Sequence, residues 1–277
     1  MIGWVRADGR VGVRNHVLVL PSVVCSTHAA LEIARDSDGE AVAITHQHGC
    51  LHVGDDLRHT EGELVGTAAS PNVGGVVVVS LGCETIQGRR LARRIEERGQ
   101  RVAFVGIQAA GGTARAIEQG REEVARMRAT VREQPRTPIA DDALAVGVDH
   151  ADPMLLVQLR AAFAARGWRT LTAAPELSGA EAHVALAGAG AQVIVSPRGP
   201  QEAPLGFAVC PVIAVARDAE LYAALHDDFD LGDDGDAPDA LVERIAQRVE
   251  AVIDGEPTAS EQRGARDFVL RRLAVTM

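Results

Sequence analysis

The chain alternates short apolar runs with amphipathic stretches along nearly its whole length. In the first half the apolar runs fall at 16–20, 41–45, 75–81 and 101–106, each bounded by polar or glycine-containing turns. Continuous β-branched runs of this kind predict strands covered on both faces, because a half-exposed strand would alternate polar with apolar residues. Between them lie amphipathic stretches at 27–35, 56–69, 87–98 and 113–132, which predict helices. Strand–helix–strand units that return to one sheet do so as right-handed crossovers, so the strands are expected to be parallel. The second half repeats the rhythm less cleanly, with strands at 143–148, 169–173, 192–196 and 212–216. Its helices are expected at 154–166, 179–187, 218–225 and 238–254.

The pattern defines an α/β protein with a parallel-sheet, Rossmann-like three-layer architecture in two βα-repeat halves. The segment 133–142 has two prolines and no apolar period, so it reads as the linker between a domain at 1–136 and another at 137–277. The acidic stretch 227–236 reads as a solvated turn, since its spacing does not fit a calcium-binding EF-hand loop.

Composition sharpens this in a few respects. Aromatics make up only 3% of the 277 residues, so the core must be built from Val, Ala, Leu and Ile. The formal net charge is −10 and there is no lysine, so every fixed side-chain cation is an arginine. That balance argues against a nucleic-acid partner, which needs a basic stripe. No apolar run is long enough to span a bilayer, and Met1 is not followed by a basic-then-apolar leader, so a cytoplasmic protein without a membrane partner is expected. Cys25, Cys50, Cys83 and Cys210 are too few and too dispersed for a disulfide scaffold and read as core thiols or ligands. A homo-oligomer is the default for a cytosolic protein of this size.

Candidate chemistry is concentrated after the strands, where ligands bind in open parallel sheets. The first strand leads into Ser22, Cys25 and His28, and the second into His46-Gln47-His48-Gly49-Cys50 with Asp55 and Asp56 beyond. The third leads into Gly82-Cys83-Glu84 and the fourth into Gln108 and Gly111-Gly112-Thr113. His46 and His48, two apart in an extended segment, share a face. With the Cys50 thiol they form either a divalent-metal clamp or a pair bonding a neighbouring loop. Cys25 and Cys83 are either further ligands or small buried hydrophobes. Gly111-Gly112-Thr113 either presents backbone N–H groups to a carboxylate or is a tight turn into a helix. Arg14 and Asn15 either bind an anionic substrate or belong to a hairpin leading into the first strand.

Taken in order, GRVGVRNHVLVLPSVVCSTHAA, THQHGCLHVGDDLRHTEGELVGTAASPNVGGVVVVSLGCE and GIQAAGGTARAIEQG resemble the core of the altronate/galactarate dehydratase family, which includes the sulfolactate sulfo-lyase large subunit. The likeness covers 9–120 and resumes at 175–181, 191–236 and 254–264. It implies a carbon–oxygen lyase (hydro-lyase) that eliminates water, or a similar leaving group, from a sugar acid or other 2-hydroxycarboxylate to give a 2-oxo acid. It further implies a divalent metal, Fe2+ first with Mn2+ or Zn2+ as alternatives. On that reading His46, His48, Cys50, Cys83 and Cys25 are the metal ligands and His46, His48, Asp55 and Glu84 the catalytic groups. Arg14, Asn15, Gln47, Gly111, Gly112 and Thr113 bind the small anionic substrate.

The chain departs from the family pattern in its middle, where Val146-Gly147-Val148-Asp149-His150-Ala151-Asp152 stands in place of a Cys-Gly-Gly-Ser-Asp stretch. The resemblance therefore implies a shortened form, without the family's small N-terminal domain and central segment, and with a separate small β-rich subunit as a partner. Two other readings stay open: a non-catalytic binding paralogue, and a metalloenzyme of another class on the same pocket. Nucleotide binding has less support, because no GxGxxG or P-loop follows the first strand.

Overall fold

The computed structural model describes the chain except residues 36, 38, 52, 150, 151, 234–237 and 274–277. In chain order the strands are β1 (Ile2–Val5), β2 (Val11–Gly12), β3 (His16–Pro21), β4 (Ala41–Ala43), β5 (Val73–Ser80), β6 (Val102–Gly106), β7 (Thr137–Pro138), β8 (Ala145–Val148), β9 (Arg169–Thr172), β10 (Val193–Arg198), β11 (Val212–Ala216) and β12 (Leu231–Gly232). The helices are α1 (Thr27–Arg35), α2 (Gly54–Ala68), α3 (Gly88–Glu96), α4 (Ile107–Ala110), α5 (Thr113–Arg132), α6 (Pro153–Ala165), α7 (Gly179–Gly188), α8 (Ala219–Ala224), α9 (Pro238–Asp254) and α10 (Ala259–Gln262).

Two parallel sheets carry the fold, as the apolar runs predict. The first has strand order β4-β3-β5-β6 and the second β12-β11-β10-β8-β9. In each, the first strand takes its successor on one side and the third strand on the other, which is the flavodoxin-type doubly wound order. The order therefore reverses between β3 and β5 in one sheet, and between β8 and β10 in the other. Those two points decide where ligands can reach the strand ends.

Successive residues of β3 face different cores. Val17 and Val19 pack with α1 and α5, whereas Leu18 and Leu20 pack with α2 and α3. The α2/α3 side is shared by both sheets: Leu64 and Val65 of α2 lie in one cluster with Val184 and Leu186 of α7, Ile194 of β10 and Phe207. Close approach of α2 and α7 depends on glycine, since a Cβ on Gly66 would stand 3.2 Å from the Gly188 Cα. The far face of the second sheet is covered by α6 and α9 through Leu155, Leu159, Phe163, Ile245 and Val249.

Two expectations gain detail. Within the proposed linker, Thr137 and Pro138 form β7, which pairs antiparallel with β1, as β1 does with β2, in a small third sheet. The acidic stretch is not wholly solvated. The Asp230 side chain is fully buried, where it accepts the backbone N–H groups of Ala214 and Ala259 and a guanidinium N–H of Arg248. Residues 234–236 of that stretch, and His150 and Ala151 of the 146–152 stretch, lie outside the described residues.

Candidate functional site

The loops beyond the carboxyl ends of the first sheet are laced together by their backbones. Val24 N–H, after β3, donates to His48 O at 2.9 Å. Thr85 and Ile86, after β5, both donate to Gly49 O, at 3.1 and 3.3 Å. Gln108, after β6, donates to Leu81 O at 3.1 Å. Gly49 has φ 100°, and a Cβ there would meet Ser22 O at 2.4 Å, so the 46–50 loop can lie against the β3 turn only with glycine at this position.

Glu84 sits at the reversal point between β3 and β5. It is buried, with one oxygen accepting from Ser22 Oγ at 2.8 Å and the other from Gly82 N–H at 2.5 Å. This is a carboxylate held by two donors, one from each flanking strand end. Ser22 is a site residue that the sequence placed after the first strand without giving it a role. Its signal was present: a hydroxyl directly after an apolar strand, in a turn already rich in polar residues.

His46 is buried and its ring is spoken for. Nδ1 accepts His48 N–H at 3.2 Å, so the proton is on Nε2, which donates to Pro21 O at 2.8 Å. The His46 and His48 rings lie side by side, 6.4 Å between centroids and 13° apart in plane. His48 is partly exposed and bonds the backbone of Leu270; burial pushes its imidazole pKa down, with Arg272 adding to the effect and the Leu270 bond opposing it. Gln47 is exposed and shares a cavity of about 220 Å³ with His46, His48, Thr27, Phe268 and Leu270. The wall formed by 268–270 comes from the end of the chain, and sequence reasoning did not anticipate it.

The other expected residues divide sharply. Cys25, Cys50 and Cys83 are exposed free thiols on three of the four interlaced loops, while Cys210 is buried elsewhere and its thiol pKa is pushed up by that burial. Asp55 is exposed and paired with Arg58, whereas its neighbour Asp56 is buried. Gly111 and Gly112 have φ of 82° and 130°, and their N–H groups bond Gln108 O and Ile107 O. The turn thus uses those amides internally and leads into α5 at Thr113, the tight-turn alternative. Arg14 and Asn15 are not brought to this site. They precede β3 and so stand at its amino end, in the hairpin lead-in. Arg14 grips Glu261 at 2.7 and 2.9 Å and also bonds Val252 O; Asn15 bonds Arg6 and Val131 O.

The donors do not fit a preassembled metal clamp. Both His46 nitrogens bond backbone groups, and among the described residues no three His, Cys, Asp or Glu side chains converge where they could hold an ion.

Parallel α/β sheets with polar loops gathered at a strand-order reversal define the doubly wound class of ligand-binding proteins. Within it, the chain belongs to the D-galactarate dehydratase/altronate hydrolase family: that family's second domain matches residues 3–132 and its C-terminal domain residues 157–276. It is 31% identical to altronate dehydratase of Escherichia coli (strain K12) over 197 residues, 64% of this chain and 39% of that protein. It is 41% identical to the (2R)-sulfolactate sulfo-lyase subunit beta of Chromohalobacter salexigens over 80 residues, 29% of this chain and 20% of that one. Altronate dehydratase of Bacillus subtilis (strain 168) is 32% identical over 116 residues, 38% of this chain and 23% of that one. The matches thus span about two fifths or less of these relatives' lengths. Among solved structures, a response regulator/GGDEF domain protein superposes with a TM-score of only 0.29 at 13% identity, over 86% of this chain and 99% of that one. Among the described residues no helix is long and apolar enough to cross a membrane.

Proposed function

We propose that the chain is the α/β core of a cytoplasmic lyase that eliminates water, or a similar leaving group, from a sugar acid or other 2-hydroxycarboxylate to give a 2-oxo acid. The observation that carries this reading is the buried Glu84 side chain, held by Ser22 and Gly82 at the reversal point among the interlaced loops. Elimination next to a carboxylate needs a base for the adjacent proton and an acid for the leaving group. Glu84 is the base in this reading. His48, partly exposed on the adjoining 46–50 loop, is assigned as the acid–base partner, although burial lowers its pKa and so disfavours its protonated form. Asp55, exposed and paired with Arg58, is assigned no role in it.

The divalent ion that the family likeness implies (Fe2+, or Mn2+ or Zn2+) belongs to this reading only if the 46–50 loop releases His46, and no step is routed through it. A separate small subunit is part of the proposal, in keeping with a relative named as a subunit, as is a homo-oligomer. The test is turnover of a panel of aldonates, aldarates and sulfolactate, followed through 2-oxo acid formation, with and without added metal and a co-expressed small subunit. Formation of a 2-oxo acid that Glu84→Gln abolishes is the expected result; a fully active Glu84→Gln protein would overturn it. A second reading, a non-catalytic partner paralogue, is favoured by the engagement of both His46 nitrogens, and complete inactivity under every one of these conditions would select it.

A further inference from the structure

The second sheet also has a reversal point, between β8 and β10, and it carries charges that the first site does not use. Asp149 directly follows β8, Ser196 and Arg198 lie at the end of β10, and His183 comes from α7. Asp149, His183 and Ser196 are fully buried and Arg198 is 4% exposed. Asp149 Oδ2 accepts from Ser196 Oγ at 2.9 Å and from Arg198 Nη2 at 2.8 Å, and lies 3.3 Å from His183 Nε2. Arg198 Nη2 also donates to Ser196 Oγ at 2.6 Å.

Pairing is thus crowded onto one oxygen of the carboxylate. The other oxygen, Asp149 Oδ1, is buried without a hydrogen-bond partner, and so are Arg198 Nε and His183 Nδ1. Burial pushes the Asp149 carboxyl upward, but its bonds to His183, Arg198 and Ser196 prevail and hold it below the usual range, so the group is a carboxylate. Taking ionised groups out of water is costly even when they are paired, and leaving their remaining donors and acceptors empty adds to that cost. A network kept only to join β8 to β10 would be better served by apolar residues of similar size. Placed where ligands enter doubly wound sheets, the same network is a receptor with open valences.

Those valences specify an occupant. Arg198 Nε–H calls for an anionic acceptor, Asp149 Oδ1 for a hydroxyl donor, and His183 Nδ1 can take either role according to its tautomer. We propose that Asp149, His183, Ser196 and Arg198 form a second binding centre that takes a small hydroxycarboxylate, its carboxylate on Arg198 and a hydroxyl on Asp149. The lyase reading shares this ligand class, but the site itself stands on the second sheet alone. A separate cavity of about 490 Å³ beside the end of β8 is lined by Val148, Pro153, Leu156, Thr172 and Leu177; Asp149, His183, Ser196 and Arg198 do not line it and are closed off from solvent. The irregular segment after β10 brings Leu205 against Gly179 at the head of α7, where a Cβ would stand 3.1 Å from Leu205 Cδ1 and 3.8 Å from Arg198 Nη1. On this proposal a ligand reaches Arg198 by displacing that segment.

The two reversal points are joined through rings. His183 lies 6.4 Å from Phe207, Phe207 stacks on Phe268 at 6.0 Å, and Phe268 lies 6.5 Å from His46. A molecule held by Arg198 is therefore separated from the 46–50 loop by two phenyl side chains, which would have to part for one ligand to touch both centres.

The experiment uses the whole chain with D-altronate, D-galactarate and tartrate as probes, and succinate, which lacks the hydroxyl, as the control. The Nε–H resonance of Arg198, assigned by its absence from Arg198→Lys, is followed by NMR during titration, and affinities are measured by calorimetry. The expected result is that at least one hydroxy acid moves that resonance where succinate does not, and that Arg198→Gln and Asp149→Asn each weaken its binding about tenfold or more. A resonance unmoved by all three acids, or binding untouched by both substitutions, would overturn the proposal and leave the centre as a water-filled ion pair. Should either variant fail to fold, the wild-type resonance decides alone. Formation of a 2-oxo acid with Arg198 unmoved sinks this centre and spares the lyase, whereas Arg198-dependent binding without turnover does the reverse.

Discussion

Leu273 donates its backbone N–H to the Asp56 carboxylate at 2.6 Å, and Arg272 adds a guanidinium contact to the same carboxylate at 3.1 Å. The end of the described chain is thereby tied to the first turn of α2. Between Ala265 and Leu273 there is no helix or strand, yet the segment places Phe268 and Leu270 in the core shared by both sheets. It also covers His48. Asp56→Ala is expected to cost about 1–3 kcal/mol in urea unfolding, the loss of a charge-assisted bond and its neighbour. It should also open Arg271 and Arg272 to trypsin. Because burial is the main cause of the low His48 pKa, release of the tail should raise it toward the ordinary histidine value. An unchanged His48 titration by NMR would show that the tail does not govern the site.

Two groups outside the site titrate in opposite senses. His16, which begins β3, is pushed by burial to about 4, so the unfolded chain binds the extra proton first and stability falls as pH drops from about 6.5 to about 4. Glu63 on α2 is raised by burial to about 7, so the folded chain holds the extra proton and stability falls as pH rises from about 4.5 to about 7. The two slopes offset each other, and the wild-type profile is expected to be nearly flat across this window. Glu63→Gln should uncover the His16 slope, and His16→Gln the Glu63 slope, each at most about 1.4 kcal/mol per pH unit. Urea midpoints measured from pH 4 to 7 separate them, and parallel profiles for the two variants would refute the assignment.

Arg14 tests the difference between sequence and structure directly. The five hydrogen bonds of its guanidinium run to Glu261, Val252 O, Glu256 O and its neighbour Val13 O. Arg14→Ala should destabilise the protein by about 2–3 kcal/mol, since it leaves a partly buried Glu261 without its cation. Binding of the three hydroxy acids should be unaffected once folding is controlled for. A loss of affinity with unchanged stability would return Arg14 to the substrate.

How much of this was legible depends on the length of the signal. Helices at 27–35 and 113–132 and the strand at 212–216 coincide with the structure residue for residue, because each holds a period long enough to mark both ends. β2, β7 and β12 have two residues each, and no period exists in two residues; only pairing across the chain creates them. In the site, the gathering of polar loops was readable from their position after strands. The same rule should have excluded Arg14 and Asn15, which come before one. The fate of His46 was not readable: its partner is Pro21 O on the adjacent strand, and that adjacency is set by strand order. Asp149 and Arg198 stayed hidden for the same reason, since β8 and β10 are neighbours although β9 lies between them in the chain.

The thiols provide the sharpest check on how the first site is built. Cys25, Cys50 and Cys83 project from loops whose backbones bond one another, and all three are exposed, whereas Cys210 is buried and its ionisation is suppressed by burial. Thiolate is the reactive form, so exposure and ionisation act together on rate. Under native conditions a disulfide reagent such as DTNB should therefore titrate three thiols quickly and the fourth only as fast as the protein opens. If the 46–50 loop rearranged around a divalent ion, anaerobic loading with Fe2+ or Zn2+ would protect Cys50 and Cys83 together and break the bond from His46 to Pro21 O. Protection of both thiols that His46→Ala abolishes would make His46 a ligand and overturn its assignment as a fixed, neutral brace. With His46 held as the structure shows, added metal should leave the rates at all three exposed thiols unchanged, and His46→Ala should lower stability without altering them in any metal-dependent way.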